Sequence, residues 1–339
     1  MTRAGIVNVT GYAGVELARL LAQHPEVELI SVTGRSAAGR ELGDVFPHLE
    51  SLGLTIEPEL GECDIAFSAM PHKESAAGII PLLERGVRVI DISADFRLND
   101  PKSYPKWYGF THPAPELLAK AVYGVPELYR EAIKSARLVA NTGCYAVSAI
   151  LALAPAVKEG LIGPDIIIDS KSGTSGAGRS LSLTTHYAEV NEDVTAYATS
   201  GHRHLPEIVQ ELAKLRPEPK PSITFLPHLI PMTRGILTSA YAPFDGDALT
   251  QQELVDIYRG FYKESPFVRV LTAPPHTKHT WGSNYCHIYP TLDLRTGRFM
   301  VMSAIDNLVK GAAGQAVQNM NLMLGLPETT GIQSLAVFP

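Results

Sequence analysis

The feature that most constrains this chain is an alternation of short apolar runs with helix-like stretches through roughly its first 140 residues. Residues 4–9, 27–33, 64–69, 87–92 and 138–140 read as strands. Residues 15–24 and 73–85 read as helices, the first with Leu17, Leu20 and Leu21 on one face. Strands that are apolar at nearly every position must be covered on both faces, and helical crossovers make such strands parallel. The prediction is an α/β domain with a doubly covered, Rossmann-type sheet. After residue 144 the rhythm changes. Helices over 145–158, 205–215 and 249–263 interrupt strand-like runs at 165–170, 222–230, 236–242, 268–271, 286–294 and 299–305. Consecutive strands predict an α+β domain with a mainly antiparallel sheet. A last helix covers 306–324. Residues 98–128, rich in Pro, Tyr and Trp, read as a long irregular connection.

A length of 339 residues suits two domains of ordinary size, and 45% hydrophobic against 19% charged residues is a globular composition. The net charge of −6 and the scatter of the basic residues argue against a nucleic-acid partner. No apolar run reaches the length of a membrane span, so no membrane partner is expected. The N-terminus lacks the pattern of a signal peptide, which makes the cytoplasm the expected location. Cys63, Cys144 and Cys286 are too few and too far apart for a disulfide framework or a metal site, and no H-E-x-x-H occurs. No metal is expected.

Three segments carry chemistry. The first is the strand-to-helix turn Gly11-Tyr12-Ala13-Gly14. Gly11 allows a tight turn, Gly14 a close helix start, and the free N–H groups there can hold a pyrophosphate. Asn8 stands where the full fingerprint has its first glycine, and an ordinary turn reads the same way locally. At the end of the second strand Arg35 and Ser36 suit the 2′-phosphate of NADP better than the ribose hydroxyl of NAD. A solvated loop charge is the alternative for Arg35. Ser68 and Pro71, on a further loop of that edge, either line the cofactor or simply start a helix.

The second segment is Asn141-Thr142-Gly143-Cys144-Tyr145. A cysteine at a helix start has its sulfur at the positive end of the dipole, which favours the thiolate. A buried inert thiol is the competing reading, assigned here to Cys63 and Cys286. The third segment, Gly201-His202-Arg203-His204-Leu205-Pro206-Glu207, supplies an acid/base for such a thiolate. His204 is preferred for its place at the helix start, while the sequence leaves His202 open. The glycine-rich run from Ser172 and Gly173 through Gly176 to Arg179 follows a strand and offers backbone N–H groups to a phosphate or a nicotinamide, or else is a linker.

Taken together these residues resemble the N-acetyl-gamma-glutamyl-phosphate reductase family of the semialdehyde dehydrogenase superfamily, over essentially the whole chain. The resemblance is carried by Gly11 to Leu17, Asp91 to Leu98, Tyr123 to Leu128, Asn141 to Tyr145, Gly201 to Glu207, Gly282 to Asn284 and Asp306 to Ala316. Thr142 departs from the usual Pro, Asn8 from Gly, and Ala146-Val147-Ser148 from the usual Pro-Thr or Ala-Thr. The resemblance implies a glyceraldehyde-phosphate/semialdehyde dehydrogenase-like fold. An NADP-binding domain would comprise 1–143 and 306–339, and a catalytic and dimerisation domain 144–305. It also implies homodimers or homotetramers formed through the second sheet, and a place in arginine biosynthesis.

The implied chemistry has Cys144 attacking an acyl phosphate, a thioester taking hydride from NADPH, and His204 as acid/base. Arg97 would bind the substrate phosphate, or else form a surface ion pair. Asn141, His202, Glu207 and Asn284 would contact the substrate, with capping and turn roles as alternatives. Asn307 would meet the nicotinamide amide or cap its helix. The nearest alternative is the lysine-pathway reductase acting on a carrier-bound aminoadipyl phosphate, disfavoured by the missing basic run. Further alternatives are a non-redox cysteine acyl transferase and a nucleotide-sensing protein.

Overall fold

The computed structural model describes residues 1–246 and 249–339, in two compact units. The first comprises Met1–Thr142 and Ala312–Gln333, the second Gly143–Gly311 and Ser334–Pro339. These boundaries differ from the expected ones at Gly143, at residues 306–311 and at residues 334–339, all of which fall in the second unit. Residues 306–311 stay with the second unit because the Asp306 carboxylate accepts the Gly282 N–H at 2.8 Å and pairs with Arg234 at 3.4 Å.

The first unit holds β1 (Thr2–Val7), β2 (Val27–Thr33), β3 (Ile56–Glu57), β4 (Ile65–Ser68), β5 (Arg88–Asp91), β6 (Val122–Gly124) and β7 (Leu138–Asn141). Their order is β3-β2-β1-β4-β5-β7-β6, and every neighbouring pair is parallel. The order reverses between β1 and β4, where doubly wound sheets leave a ligand crevice at their carboxyl ends. β1 stops two residues earlier than expected because Asn8 leaves the extended region, and the following helix, Tyr12–Leu21, starts earlier. The expected irregular stretch contains helices Ser103–Tyr108 and Pro115–Leu118, then β6 and the start of helix Pro126–Ser135. Its aromatic residues make it core: Tyr104 is fully buried and packs against Tyr108, Phe110 and His112.

The expected final helix is an α-helix only over Gly314–Met323, preceded by a π turn at Val309–Ala313. Every residue of that α-helix is buried, and its amides are used within the unit. Gln315 and Asn319 donate to the Gly124 carbonyl at 2.8 and 3.1 Å.

The second unit holds β8 (Asp165–Ser172), β9 (Thr195–Ala196), β10 (Ser222–Leu229), β11 (Ile236–Pro243), β12 (Val268–Val270), β13 (Cys286–Asp293) and β14 (Arg298–Ile305). They form one sheet in the order β12-β13-β14-β11-β8-β10-β9. Four of the six neighbouring pairs are antiparallel, so the sheet is mixed. Its strands alternate: Ile166, Ile168, Ala240, Val301 and Ile288 are buried, whereas Ile167, Tyr241, Met300 and Tyr289 between them remain at least partly accessible. Helix Cys144–Lys158 contacts β11 and β14. Four hydroxyls bond it into the sheet: Ser148 with Thr238 and Ser303 at 2.9 and 2.8 Å, and Thr238 with Ser170 at 2.8 Å. The unusual Ser148 therefore has a packing role. Among the described residues no helix is long and apolar enough to cross a membrane.

Candidate active site

In the first unit the nucleotide-type turn is built around Asn8, whose φ of 66° lies in the left-handed region. Asn tolerates that region better than most side chains, which explains how it replaces glycine here. Its backbone N–H donates to Thr33 Oγ1 at 3.1 Å and its Nδ2 to the Ala69 carbonyl at 2.9 Å. One residue thus ties together the ends of β1, β2 and β4. Gly14 meets its expectation sharply: a Cβ there would lie 2.5 Å from the Asn8 oxygen and 2.7 Å from the Val9 Cα. Gly11 does not make the tight turn. Its φ is −80°, and the nearest atom to an added Cβ is 3.8 Å away. It is instead an N-cap with no side-chain acceptor, leaving the first-turn N–H groups, including those of Tyr12 and Ala13, to be satisfied from outside the helix.

A cavity of about 780 Å³ lies at this edge, lined by Asn8, Thr33, Arg35, Ser36, Pro71 and Glu74 among others. The exposed Arg35 guanidinium pairs with the Glu74 carboxylate at 2.7 Å. Ser68 belongs elsewhere. It is fully buried, 2.7 Å from Ser75 Oγ, which in turn donates to Asp91 at 2.7 Å. Burial pushes the Asp91 carboxyl up to about 6, against hydrogen bonds from Ser75 and Ser93 that favour its charge.

In the second unit Cys144 opens a 15-residue helix. Its N-cap, Gly143, has φ −77° and ψ 149° with no side-chain cap. The Gly143 N–H points to Glu207 Oε2 at 3.4 Å, and Glu207 Oε1 is 3.9 Å from His204 Nε2. Glu207, fully buried, therefore links the cysteine turn to the histidine loop. Cys144 is partly accessible, whereas Cys63 and Cys286 are buried, and burial pushes the Cys63 thiol up. A Cβ on Gly311 would lie 2.7 Å from that of Cys144, so only glycine leaves the cysteine its place.

The two imidazoles are not equivalent. Their rings are 4.7 Å apart at 81°, and Tyr145 meets both edge-on at 5.5 and 5.9 Å. His202 Nδ1 accepts the His204 backbone N–H at 3.1 Å. Burial, helped by the charge of Arg203, pushes His202 down to about 4. Tyr197 donates its hydroxyl to that of Tyr145 at 3.1 Å, and Tyr145 donates to the His228 carbonyl at 3.1 Å. Burial pushes Tyr197 up to about 12 and Tyr145 higher still. Cys144, Tyr145, Tyr197, His202, Arg203 and His204 line one cavity of about 550 Å³. Ser172 and Gly176 line it as well, whereas Gly173 is closely packed, 2.8 Å separating an added Cβ from the Met232 and Thr233 carbonyls.

The remaining expected residues have internal partners. Asn307 accepts the Gly235 N–H at 2.7 Å and donates to Ser175 Oγ at 2.9 Å, bracing the glycine-rich loop. It is not the helix cap. Asp306 takes that part, accepting the N–H groups of Leu308 and Val309 at 2.8 and 3.1 Å. Arg97 is buried; it donates to the Asn141 and Ile92 carbonyls, both at 2.7 Å. The Asn141 amide donates to the Ala312 carbonyl at 3.0 Å and accepts from Asn319 at 2.9 Å. Asn284 is fully buried. Thr142, the departure from proline, pairs its hydroxyl with that of Tyr123 at 2.7 Å.

Sequence reading passed over Gly311, Asp306, Arg203 and the two tyrosines. Gly311 and Tyr145 stand within motifs that it quoted, but nothing local singles out Tyr197. Among the described residues no cluster of three or more His, Cys, Asp or Glu could hold a metal ion.

Comparison with known proteins agrees with this arrangement. Residues 3–136 match the semialdehyde dehydrogenase NAD binding domain, and residues 144–307 the semialdehyde dehydrogenase dimerisation domain. A protein of Dehalococcoides mccartyi named N-acetyl-gamma-glutamyl-phosphate reductase is 60% identical over 99% of both chains. Its namesake in Symbiobacterium thermophilum is 52% identical over 97% of both. Among solved structures, aspartate semialdehyde dehydrogenase II of Vibrio cholerae has a TM-score of 0.70 at 17% identity, covering 96% of this chain and 99% of that one. Aspartate semialdehyde dehydrogenase with NADP from Candida albicans scores 0.69 at 16% identity, over 96% and 98%. The fold, the two matched domains and the full-length identity lead to one conclusion: this chain belongs to the N-acetyl-gamma-glutamyl-phosphate reductase family.

Proposed function

We propose that this chain reduces N-acetyl-gamma-glutamyl phosphate to the corresponding semialdehyde with NADPH, releasing phosphate, as a step of arginine biosynthesis. The observation that carries the reading is the shared cavity of Cys144 and His204, with buried Glu207 linking the two segments. The helix N-terminus favours the Cys144 thiolate. That sulfur attacks the acyl carbon, an S–C bond forms, and the C–O bond to phosphate breaks. The thioester carbonyl is more electrophilic than a carboxylate, which is why this route suits reduction. When bound, the dinucleotide supplies the hydride. His204 protonates the carbonyl oxygen as the thiohemiacetal forms and takes the proton back as the aldehyde and thiolate separate. His202, held neutral by burial, orients the loop through its bond to the His204 backbone.

The residues of the first unit fit the dinucleotide. The N–H groups after Gly11 suit its pyrophosphate, and Gly14 keeps the helix close. Arg35 and Ser36 suit the 2′-phosphate, which favours NADP over NAD. Arg203 is the one Lys or Arg among the described residues lining the Cys144 cavity and suits an anionic group of the substrate. Arg97 and Asn141 act as positioning residues that fix the end of β7 ahead of the cysteine.

The test is phosphate-dependent reduction of NADP by N-acetylglutamate semialdehyde. Wild type should turn over, and Cys144→Ser should lose at least about 10³-fold in kcat while still binding NADPH. Turnover without phosphate, or full activity in the serine variant, overturns the thioester route.

A further inference from the structure

We infer that residues 69–74 form a strained wall of the cavity in the first unit, and that Asn8 and Asp95 are positioning residues that hold this wall in shape for the adenosine end of the dinucleotide. The segment joins β4 to helix Ser75–Glu84. Met70, Pro71 and Glu74 line the cavity from it.

Among the described residues of the first unit, the non-glycine residues with positive φ are Asn8 at 66° and Lys73 at 76°. A lysine has no local side-chain bond to ease that conformation, as an asparagine does. Such residues persist where their surroundings over-determine them, and they gather at ligand sites. Both of these border one segment. Lys73 lies within it, and Asn8 bonds to its first residue.

The segment is pinned along its length. At its start the Asn8 Nδ2 donates to the Ala69 carbonyl at 2.9 Å, and the Ala69 N–H donates to the Val7 carbonyl at 2.9 Å. At its end the fully buried Asp95 accepts the Lys73 N–H on Oδ1 at 2.8 Å and the Ala76 N–H on Oδ2 at 3.0 Å. Asp95 thus caps the helix from outside, since the N-cap residue Glu74 makes no side-chain cap bond. Between the pins Pro71 fixes its own φ. The Met70 sulfur packs on Gly78, 2.8 Å from where a Cβ would stand. If Lys73 relaxed to negative φ, its N–H would leave Asp95, and the chain before it would swing Met70 and Pro71 off the cavity.

The Asn8 amide is oriented at both ends. Thr10 Oγ1 donates to its Oδ1 at 3.2 Å, which turns Nδ2 toward Ala69. A glycine at this position would take the same φ and keep the backbone bond to Thr33 Oγ1, but would lose the tie to Ala69. The replacement of the fingerprint glycine therefore adds a lock. A wall fixed before binding spares the ligand the entropy of ordering it. The lock rests on hydrogen bonds and backbone angles alone, whereas its service to a nucleotide rests on the proposed function.

The experiment is a double-mutant cycle on the full chain with Asn8→Gly, Lys73→Gly and the two together. It is read by thermal midpoint and by titration with 5′-AMP, which lacks the 2′-phosphate and so leaves the Arg35–Glu74 pair out of the measurement. Asn8→Gly should weaken 5′-AMP binding by about 10-fold. Lys73→Gly should raise the thermal midpoint, because glycine takes that φ without strain. Added to Asn8→Gly, it should restore 5′-AMP binding to within about 2-fold of wild type, since an unstrained wall needs no tie. Asn8→Asp keeps an acceptor for Thr10 but turns a carboxylate oxygen to the Ala69 carbonyl, and should weaken 5′-AMP at least as much as Asn8→Gly. A merely structural role predicts that affinity follows the thermal midpoint and that the two glycine substitutions add without coupling. That result, or unchanged 5′-AMP binding in both Asn8 variants, overturns the inference and leaves the proposed function standing. Wild type that binds neither 5′-AMP nor NADPH overturns the nucleotide assignment of the cavity and the inference with it.

Discussion

Two helices of this molecule begin in the same way and serve opposite ends. Helix Tyr12–Leu21 follows Gly11 at φ −80° and ψ 161°; helix Cys144–Lys158 follows Gly143 at φ −77° and ψ 149°. Neither cap has a side chain to satisfy the first-turn N–H groups. An asparagine closes the preceding strand in both, Asn8 at one and Asn141 at the other, each with its amide bonded to neighbouring backbone. The difference lies in where the negative charge comes from. The first helix follows Asn8, which lines a cavity, and on the proposed function its N–H groups would receive an anion from solution. The second would, on the proposed function, carry its own in a Cys144 thiolate, and its Gly143 N–H already donates to Glu207 Oε2 at 3.4 Å. On that reading one backbone device, an uncapped helix start, would serve either binding or nucleophilic chemistry according to the residue that follows the glycine.

The comparison breaks most readily at Gly14. Gly14→Ala puts a methyl group 2.5 Å from a backbone oxygen, so the helix must shift. We expect a stability loss on the order of 2 kcal/mol and at least about 10-fold weaker NADPH binding, read by calorimetry and fluorescence titration. Gly11→Ala sharpens the point. Its Cβ has room, so stability should change by about 1 kcal/mol or less. Weaker NADPH binding in that variant would then report the approach of the ligand to the turn. Unchanged binding would sink the pyrophosphate assignment.

A smaller effect is expected at Glu74, whose carboxylate holds Arg35 at 2.7 Å. A 2′-phosphate must share or displace that carboxylate. Glu74→Gln should tighten 2′,5′-ADP by roughly 3- to 10-fold, about 1 kcal/mol, and leave 5′-AMP unchanged. Equal effects on the two nucleotides would remove Arg35 from the phosphate site.

The smallest effects concern pH, and the two units run in opposite directions. His202, ordinarily near 6.5 and held at about 4 in the fold, gives the unfolded chain the extra proton between those values. Its contribution is full above about pH 6.5 and is lost as pH falls toward 4. Asp91, raised from 3.8 to about 6, retains its proton longer in the fold, so its contribution is full below about 4 and is lost as pH rises through 6. His202→Asn should flatten the acid side of the thermal midpoint profile, whereas Asp91→Asn should flatten its rise toward acid above pH 4. Matching profiles in wild type and both variants would show that neither group carries the linkage.

Much of this was legible in the residues themselves. The strand at Val27–Thr33 and the helix Leu205–Leu215 fall where periodicity put them, because burial of an apolar face is a local pattern. The place of Cys144 at a helix start was legible because a glycine follows the strand-like run ahead of it. Polar residues were harder to read. Ser68, Asn141, Asn307 and Arg97 looked like groups awaiting ligands, yet each has a partner inside its own unit. A sequence displays hydrogen-bonding capacity but not the partner, which here comes from residues 7 to 171 positions away. The aromatic stretch after residue 98 misled for a related reason: its prolines look like loop, while Tyr104 and Tyr108 are core.

The helix Gly314–Met323 carries a consequence for how the molecule comes into being. It follows residues 143–311 of the second unit in the chain, yet it belongs to the unit that holds β1, where Asn319 bonds to Gly124 and Asn141 and Asn321 meets His24 at 2.9 Å. The nascent N-terminal sheet must therefore wait, with its place for that helix open, while the whole intervening unit is synthesised. A chain interrupted before Gly314 would lack the helix that packs the first unit, so dinucleotide affinity, on the proposed function, would report whether that helix is in place.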